Sequence, residues 1–209
     1  MPYDASAPLE TQIHTSVASS LRNLRPTDDP NSTQDHYIDC LLLHSPLQTA
    51  RATLDAWKIL EGYVPQKIRH LGISNVTLPM LELLYNNSNI KPAVVQNRFY
   101  AATRYDVPLR KSCRENGIMY QSFWTLTGNP KLLTAEPVMV LAKAAGISME
   151  VALYSLVMSL DVVVLNGTTS ARRMKEDLEG VMRVKEWAGQ NAERWEHVRQ
   201  GFRALVEPH

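Results

Sequence analysis

The stretch Asp39-Cys40-Leu41-Leu42-Leu43-His44-Ser45-Pro46 decides how this chain is read. A short apolar run ends in a histidine, and the next run of that kind follows only after a helical pattern. Tyr37–Leu43 reads as a strand, and Thr53–Glu61 as a helix closed by Gly62. Working outward, the same unit recurs. Ile68–Ile73 is a predicted strand, followed by a helix over Pro79–Tyr85, with Thr77 placed to cap its free amides. Ala93–Tyr100 is a predicted strand, and Leu109–Asn116 a helix closed by Gly117. Ile118–Trp124 is a strand, then Pro137–Ala145 and Ser148–Leu160 are helices separated by Gly146. Asp161–Leu165 is the last strand, with a helix over Ala171–Met182 after it. Short strands, apolar on both faces and joined by helices, predict a parallel sheet covered by helices. The expected class is α/β, with about five parallel βα units.

The flanks add two helices. Before the first strand, Leu9, Ile13, Val17, Leu21 and Leu24 fall on one helical face behind Pro8, and Arg25–Asp35 reads as a polar surface loop. After the last unit, Val184–Val206 carries Trp187, Trp195, Val198, Phe202 and Leu205 at helical spacing, which suits a C-terminal helix docked on the core. One domain over 1–209 is the economical organisation.

Composition excludes several classes. Twenty-two basic and 21 acidic residues give a net charge of +1, without the basic stripe of a nucleic-acid or membrane-surface binder. No run approaches the ~18 apolar residues of a membrane span. The N-terminus shows no signal-peptide pattern, and Cys40 and Cys113 suit two reduced thiols, so a cytoplasmic protein is expected. No histidine pair has zinc-ligand spacing, so no metal site is expected.

The chemistry concentrates at the carboxyl ends of the strands, where parallel α/β folds place their sites. Five of these ends are polar: His44-Ser45, Ser74-Asn75, Gln96-Asn97, Gln121-Ser122 and Asn166-Gly167-Thr168-Thr169. A single polar strand end commonly serves as the next helix's N-cap. Five in succession predict a polar ligand over that rim. Gly167-Thr168-Thr169 before a helix suits an anion, because a helix start offers free N–H groups and a positive dipole end.

These motifs, in this order, resemble the aldo-keto reductases. Tyr37–Pro46 resembles their fourth barrel strand, Ile68–Asn75 the fifth, Pro92–Asn97 the sixth and Tyr120–Leu126 the seventh. Val162–Thr169 with Arg173–Leu178 resembles the eighth strand and the helix after it. The resemblance implies a partial (β/α)8 TIM-type barrel, about five βα units plus a C-terminal helix. It also implies NADP(H) as cofactor, if the rim is intact, and a small-molecule carbonyl or alcohol as substrate. By position, His44 matches the active-site histidine, and Ser74, Asn75 and Gln96 match the groups on the nicotinamide carboxamide. Phe123 stands where many members stack a tyrosine on the nicotinamide ring. Trp124, Thr125, Leu126 and Thr127 match the loop near the pyrophosphate, and Gly167, Thr168 and Thr169 the turn at the adenosine phosphate. Arg173, Glu176 and Asp177 match the trio that holds the 2′-phosphate and adenine, with Asp177 replacing the usual asparagine.

The resemblance also defines what has no match. The family's first three strands carry an aspartate, a tyrosine that acts as general acid, and a lysine that lowers that tyrosine's pKa. These would precede Pro2-Tyr3-Asp4, and none of the eight tyrosines stands at the acid position. Tyr3 resembles part of the loop after the third strand. The chain is therefore expected to be an N-terminally shortened member with weak or absent reductase activity. An ordinary imidazole, with a pKa of ~6.5, is mostly neutral at pH 7 and a poor substitute acid. Two alternatives stand beside this: a redox-silent enzyme using His44 for isomerisation, dehydration or cyclisation of a small carbonyl compound, and a cofactor-binding pseudoenzyme. Five strands cannot close an eight-stranded barrel, so an open, curved sheet is expected. Its edges are expected to be covered by the N-terminal segment, by a second copy or by a partner chain.

Overall fold

The computed structural model describes residues 6–24 and 36–207, so the predicted loop Arg25–Asp35 and the reading of Tyr3 lie outside the described residues. The hydrogen-bonded strand order is β1-β2-β3-β4-β5, for β1 Ile38–Leu43, β2 Ile68–Ser74, β3 Val94–Arg98, β4 Met119–Phe123 and β5 Val162–Val164. The chain packs as two compact units, Met1–Val95 and Gln96–His209.

In the first unit, helix α1 (Leu9–Asn23) precedes β1, α2 (Ala50–Glu61) links β1 to β2, and α3 (Leu78–Asn87) follows β2. β1 and β2 pair in parallel, Cys40 opposite His70 and Leu42 opposite Gly72. Gly72 is needed there: a Cβ would stand 2.7 Å from the Val94 carbonyl oxygen. The core is built on Trp57, Ile68, Leu71, Ile73, Leu81 and Leu84, all essentially inaccessible. The Trp57 indole N–H donates to the Ile90 carbonyl at 2.9 Å, so its polar edge is also satisfied. Helix α2 starts at Ala50, three residues before the predicted Thr53, and Thr49 caps it, its hydroxyl accepting the Ala52 N–H at 3.1 Å. Thr77 precedes α3 as expected, but its side chain makes no capping bond.

In the second unit, a 3₁₀ turn (Ala101–Asp106) leads into α4 (Val107–Glu115), and the short α5 (Pro130–Leu133) follows β4. Helices α6 (Glu136–Ala145) and α7 (Met149–Met158) precede β5, and α8 (Ala171–Gln190) and α9 (Ala192–Val206) end the chain. β4 and β5 pair in parallel, Tyr120 opposite Val162. α7 is buried at every position from Val151 to Val157, which makes it the central core helix of this unit. The predicted break at Arg183 is corrected: α8 continues to Gln190, and Asn191 ends it, with its side-chain amide donating to the Trp187 carbonyl at 2.9 Å.

No single helix among the described residues is long and apolar enough to cross a membrane. Both cysteines are free. Burial, with a smaller push from the Asp106 charge, raises the Cys113 thiol from its ordinary 9.0 to about 12. Burial raises the Tyr120 hydroxyl too, with the adjacent Asp106 carboxylate adding to it. The unfolded chain ionises both groups at their ordinary values, and the folded chain holds its protons longer. Their contribution to stability is present below about pH 9 and is lost as the pH rises towards 12. Urea midpoints measured across that range should fall steadily, and Cys113 should resist a thiol-alkylating reagent until the chain unfolds. A flat profile with prompt native-state labelling of Cys113 would contradict this.

Candidate active site

The carboxyl ends of β4 and β5 and the start of α8 surround a cavity of about 1070 Å³ in the second unit. The segment after β4 reaches it through a pinned loop. Ser122 and Thr125, both buried, join their hydroxyls at 2.9 Å. The Asn129 amide donates to the carbonyls of Phe99 at 2.6 Å and Thr125 at 3.0 Å. Gly128 donates its N–H to the Trp124 carbonyl at 2.8 Å, and a Cβ there would meet that same oxygen at 2.9 Å. The loop turns at Trp124, in the left-handed region at φ 60°, with its indole about half exposed. The Arg98 guanidinium lies 4.5 Å from the Trp124 ring centroid, a distance at which cation–π attraction operates.

The opposite wall is the first three turns of α8. Ser170 caps it, its Oγ accepting the Arg173 N–H at 3.4 Å. Before the cap, Asn166 folds the strand end: its Oδ1 accepts the Thr168 N–H at 2.8 Å and its amide donates to the Asp177 carboxylate. Arg172 pairs with Glu176 at 2.7 Å. The Arg173 guanidinium, by contrast, has no ion-pair partner among the described residues and lies on the cavity wall. A guanidinium without an ion-pair partner beside the positive dipole end of a helix is a combination that suits an anion.

The sequence-predicted residues divide between the units. Phe123, Trp124, Thr125, Leu126, Thr127, Gly167, Thr168, Arg173, Glu176 and Asp177 all line the one cavity. Thr169 does not line it, although it belongs to the same turn. Thr125 is nearly inaccessible and its hydroxyl is committed to Ser122, so its part is to hold the loop. Gln96, in the same unit, donates its side-chain amide to Gln121 Oε1 at 2.9 Å and is not on the cavity wall. His44, Ser74 and Asn75 sit together in the first unit, at the ends of β1 and β2. Asn75, held at φ 54°, donates its amide to the His44 carbonyl at 2.9 Å and to Ser74 Oγ at 3.2 Å. His44 is exposed and Ser74 buried.

The sequence reading missed the third wall, from Ser148, Glu150, Val151 and Tyr154 of α7 and its cap, together with Gly180 and Arg183 further along α8. The available signal was the i, i+4 pair of Glu150 and Tyr154 in an otherwise apolar helix. Gly180 packs directly on α7, where a Cβ would lie 2.8 Å from the Val151 side chain. Among the described residues no group of three or more acidic, histidine or cysteine side chains is placed to hold a metal ion.

Cavities at the carboxyl ends of strands and the start of a helix are where α/β folds commonly place small ligands. A sequence model of the Aldo/keto reductase family matches residues 10–180, and the chain belongs to that family. It is 30% identical over 152 residues to the NAD/NADP-dependent indole-3-acetaldehyde reductase of Schizosaccharomyces pombe, covering 68% of this chain and 53% of that one. It is 30% identical over 112 residues to 2,5-diketo-D-gluconic acid reductase B of a Corynebacterium species, covering 53% of this chain and 40% of that one. The match thus spans about half the length of these relatives. Among solved structures, an aldo-keto reductase complexed with NADPH superposes at a TM-score of 0.65 and 16% identity. That match covers 85% of this chain and 60% of the other.

Proposed function

We propose that the second unit binds NADP(H) and that the chain serves the family's reaction, reduction of a small carbonyl compound to an alcohol. The observation that carries the reading is Arg173, a guanidinium without an ion-pair partner on the wall of the cavity where the cofactor-assigned residues converge. A guanidinium without an ion-pair partner beside the positive end of a helix is open to an arriving anion. In this reading Arg173 holds the 2′-phosphate, Gly167 and Thr168 lie at the adenosine phosphate, and Phe123 packs on the nicotinamide. Trp124, Leu126 and Thr127 border the pyrophosphate. Bound NADPH supplies the hydride. The chain's own groups orient and shield it, and His44 orients the substrate carbonyl. A relative acting with either nicotinamide cofactor and a fold neighbour complexed with NADPH support the choice. Free thiols favour a cytoplasmic setting.

A second reading is cofactor binding without turnover, since the cavity gathers the cofactor-assigned residues and not His44. We also propose that the exposed apolar side chains of Met119 on β4 and Val163 on β5 are covered by a second copy or a partner chain.

Calorimetric titration tests the cofactor reading. NADPH should bind in the micromolar range, Arg173→Ala should weaken it roughly 10-fold or more, and NADH should be nearly indifferent to that change. No binding at millimolar NADPH would overturn it.

A further inference from the structure

Helix α8 carries large apolar side chains on the face turned to solvent. Leu178 is 71% exposed, Met182 56% and Met174 46%. They stand four residues apart in sequence, so they form one row along the helix. The packed side of α8 is a different one. Gly180 and Val184 are its buried residues, and a Cβ at Gly180 would press on the Val151 side chain of α7. Arg173, Asp177, Gly180 and Arg183 turn to the cavity. At 3.6 residues per turn, Leu178 points roughly 160° away from Gly180. A helix that buries one side is expected to be polar on the other. Here the outward row is apolar and left to water.

The charges beside the row indicate its occupant. Lys175 and Glu179 lie along one rim of it, 3.7 Å apart, with their side chains 77% and 58% exposed. A strongly acidic or basic partner would call for a rim of one sign, whereas this rim carries one of each. The row is also symmetric, with a methionine four residues to either side of Leu178. Two copies of α8 laid antiparallel about a two-fold axis at Leu178 set Met174 of each against Met182 of the other. That two-fold brings the same rim of both helices together. Lys175 of one copy then falls within two residues, about 3 Å along the axis, of direct opposition to Glu179 of the other. The symmetry makes this pair twice.

We propose that the Met174, Leu178 and Met182 face of α8 is a docking surface for a second copy of this chain, in an antiparallel helix pair. The cavity stays open in the pair, because its α8 residues lie on the other side of the helix. The surface is separate from Met119 and Val163 on the sheet. One helix face per copy is a small contact, so the dimer is reversible, with a dissociation constant on the order of tens of micromolar.

Sedimentation equilibrium from about 5 to 500 μM spans that range and reads the association. The unaltered chain should pass from monomer to dimer. Leu178→Lys should raise the dissociation constant about 30-fold or more, because it sets like charges at the centre of the contact. Lys175→Glu and Glu179→Lys should each weaken association about 10-fold, by placing like charges across both rims. Mixed one to one, these two variants should associate again at near the unaltered strength, since an all-acidic rim then meets an all-basic one. Met119→Lys should leave the dimer as it was. All the substituted side chains are at least half exposed, so circular dichroism should be unchanged and a lost dimer is a lost contact. An unaltered chain that stays monomeric throughout overturns the proposal. So does a dimer that Leu178→Lys leaves intact or that Met119→Lys abolishes, and so does failure of the mixed variants to associate.

Discussion

Arg110→Ala should destabilise the second unit by ~3–5 kcal/mol, the range for removing one partner from a buried ion pair. The guanidinium is 2% exposed and pairs with Glu207 at 2.8 Å, while its Nε donates to the Tyr105 carbonyl at 2.8 Å. Burial pulls the Arg110 pKa below its ordinary value, and Glu207 opposes that pull through charge and hydrogen bonding. One guanidinium nitrogen, Nη1, is buried without a partner, so the arrangement already carries a desolvation cost. Removing Arg110 leaves Glu207, 17% exposed, with only the looser Arg203 contact at 3.1 Å. It also frees the Tyr105 carbonyl in a segment where Arg104, Tyr105 and Asp106 all adopt left-handed backbone. The neighbouring bonds into Asp106, from Asn97 at 2.8 Å and Tyr120 at 2.9 Å, and the Tyr105 N–H to the Tyr100 carbonyl at 3.1 Å then hold that segment without it. Urea unfolding followed by circular dichroism reads the loss. Arg110→Met combined with Glu207→Gln should recover most of it, because no charge is left buried and unpaired. A loss under about 1 kcal/mol for Arg110→Ala would show that the pair is not the latch between α4 and the chain's last helix.

This latch also marks where the sequence stopped being legible. The strands were readable because runs such as Leu41-Leu42-Leu43 and Val162-Val163-Val164 fit little else between helical patterns. The 3₁₀ turn at Ala101–Asp106 was not readable. It contains no glycine, and its left-handed residues are held by side chains that arrive from α4, β3 and β4. The division between α8 and α9 was misplaced because Trp187, Trp195 and Phe202 continue one apolar spacing across Asn191. The break is fixed by local bonds at that asparagine, whose side chain donates to Trp187 and whose N–H donates to Ala188. At the site, the polar turn at Asn166–Thr169 and the charged start of α8 were visible, since polar residues after an apolar strand have few other uses. The α7 wall was hidden for the opposite reason. A helix buried on all sides reads as core, and nothing in one sequence says that Glu150 and Tyr154 border a cavity. Whether Thr125 faced a ligand or its own loop likewise depended on Ser122, three residues before it.

Aldehyde reduction by residues 1–209 should run ~10²–10⁴-fold below that of the Schizosaccharomyces pombe relative, the usual worth of a general acid–base residue. A hydride delivered to a carbonyl carbon leaves negative charge on oxygen, and a proton must meet it. The family's tyrosine acid and the lysine that tunes it have no match in these residues. The two tyrosines that burial perturbs most do not replace it. Tyr120 and Tyr154 are pushed toward firmer retention of their protons, Tyr120 chiefly by burial and next by the Asp106 carboxylate it donates to. A phenol beside a carboxylate is a weaker acid than one beside an ammonium group, so neither is tuned for the task. His44 remains the one group that the resemblance assigns to the substrate carbonyl. Stopped-flow loss of NADPH absorbance with a small aldehyde measures the rate, and His44→Ala should remove whatever turnover is left. The result separates the two readings of the cavity. Slow, His44-dependent reduction keeps the chain within the family's chemistry. Tight NADPH binding with no reduction makes it a cofactor-holding protein. Turnover equal to that of the relative would show that an acid reaches the carbonyl from a residue that the resemblance does not assign.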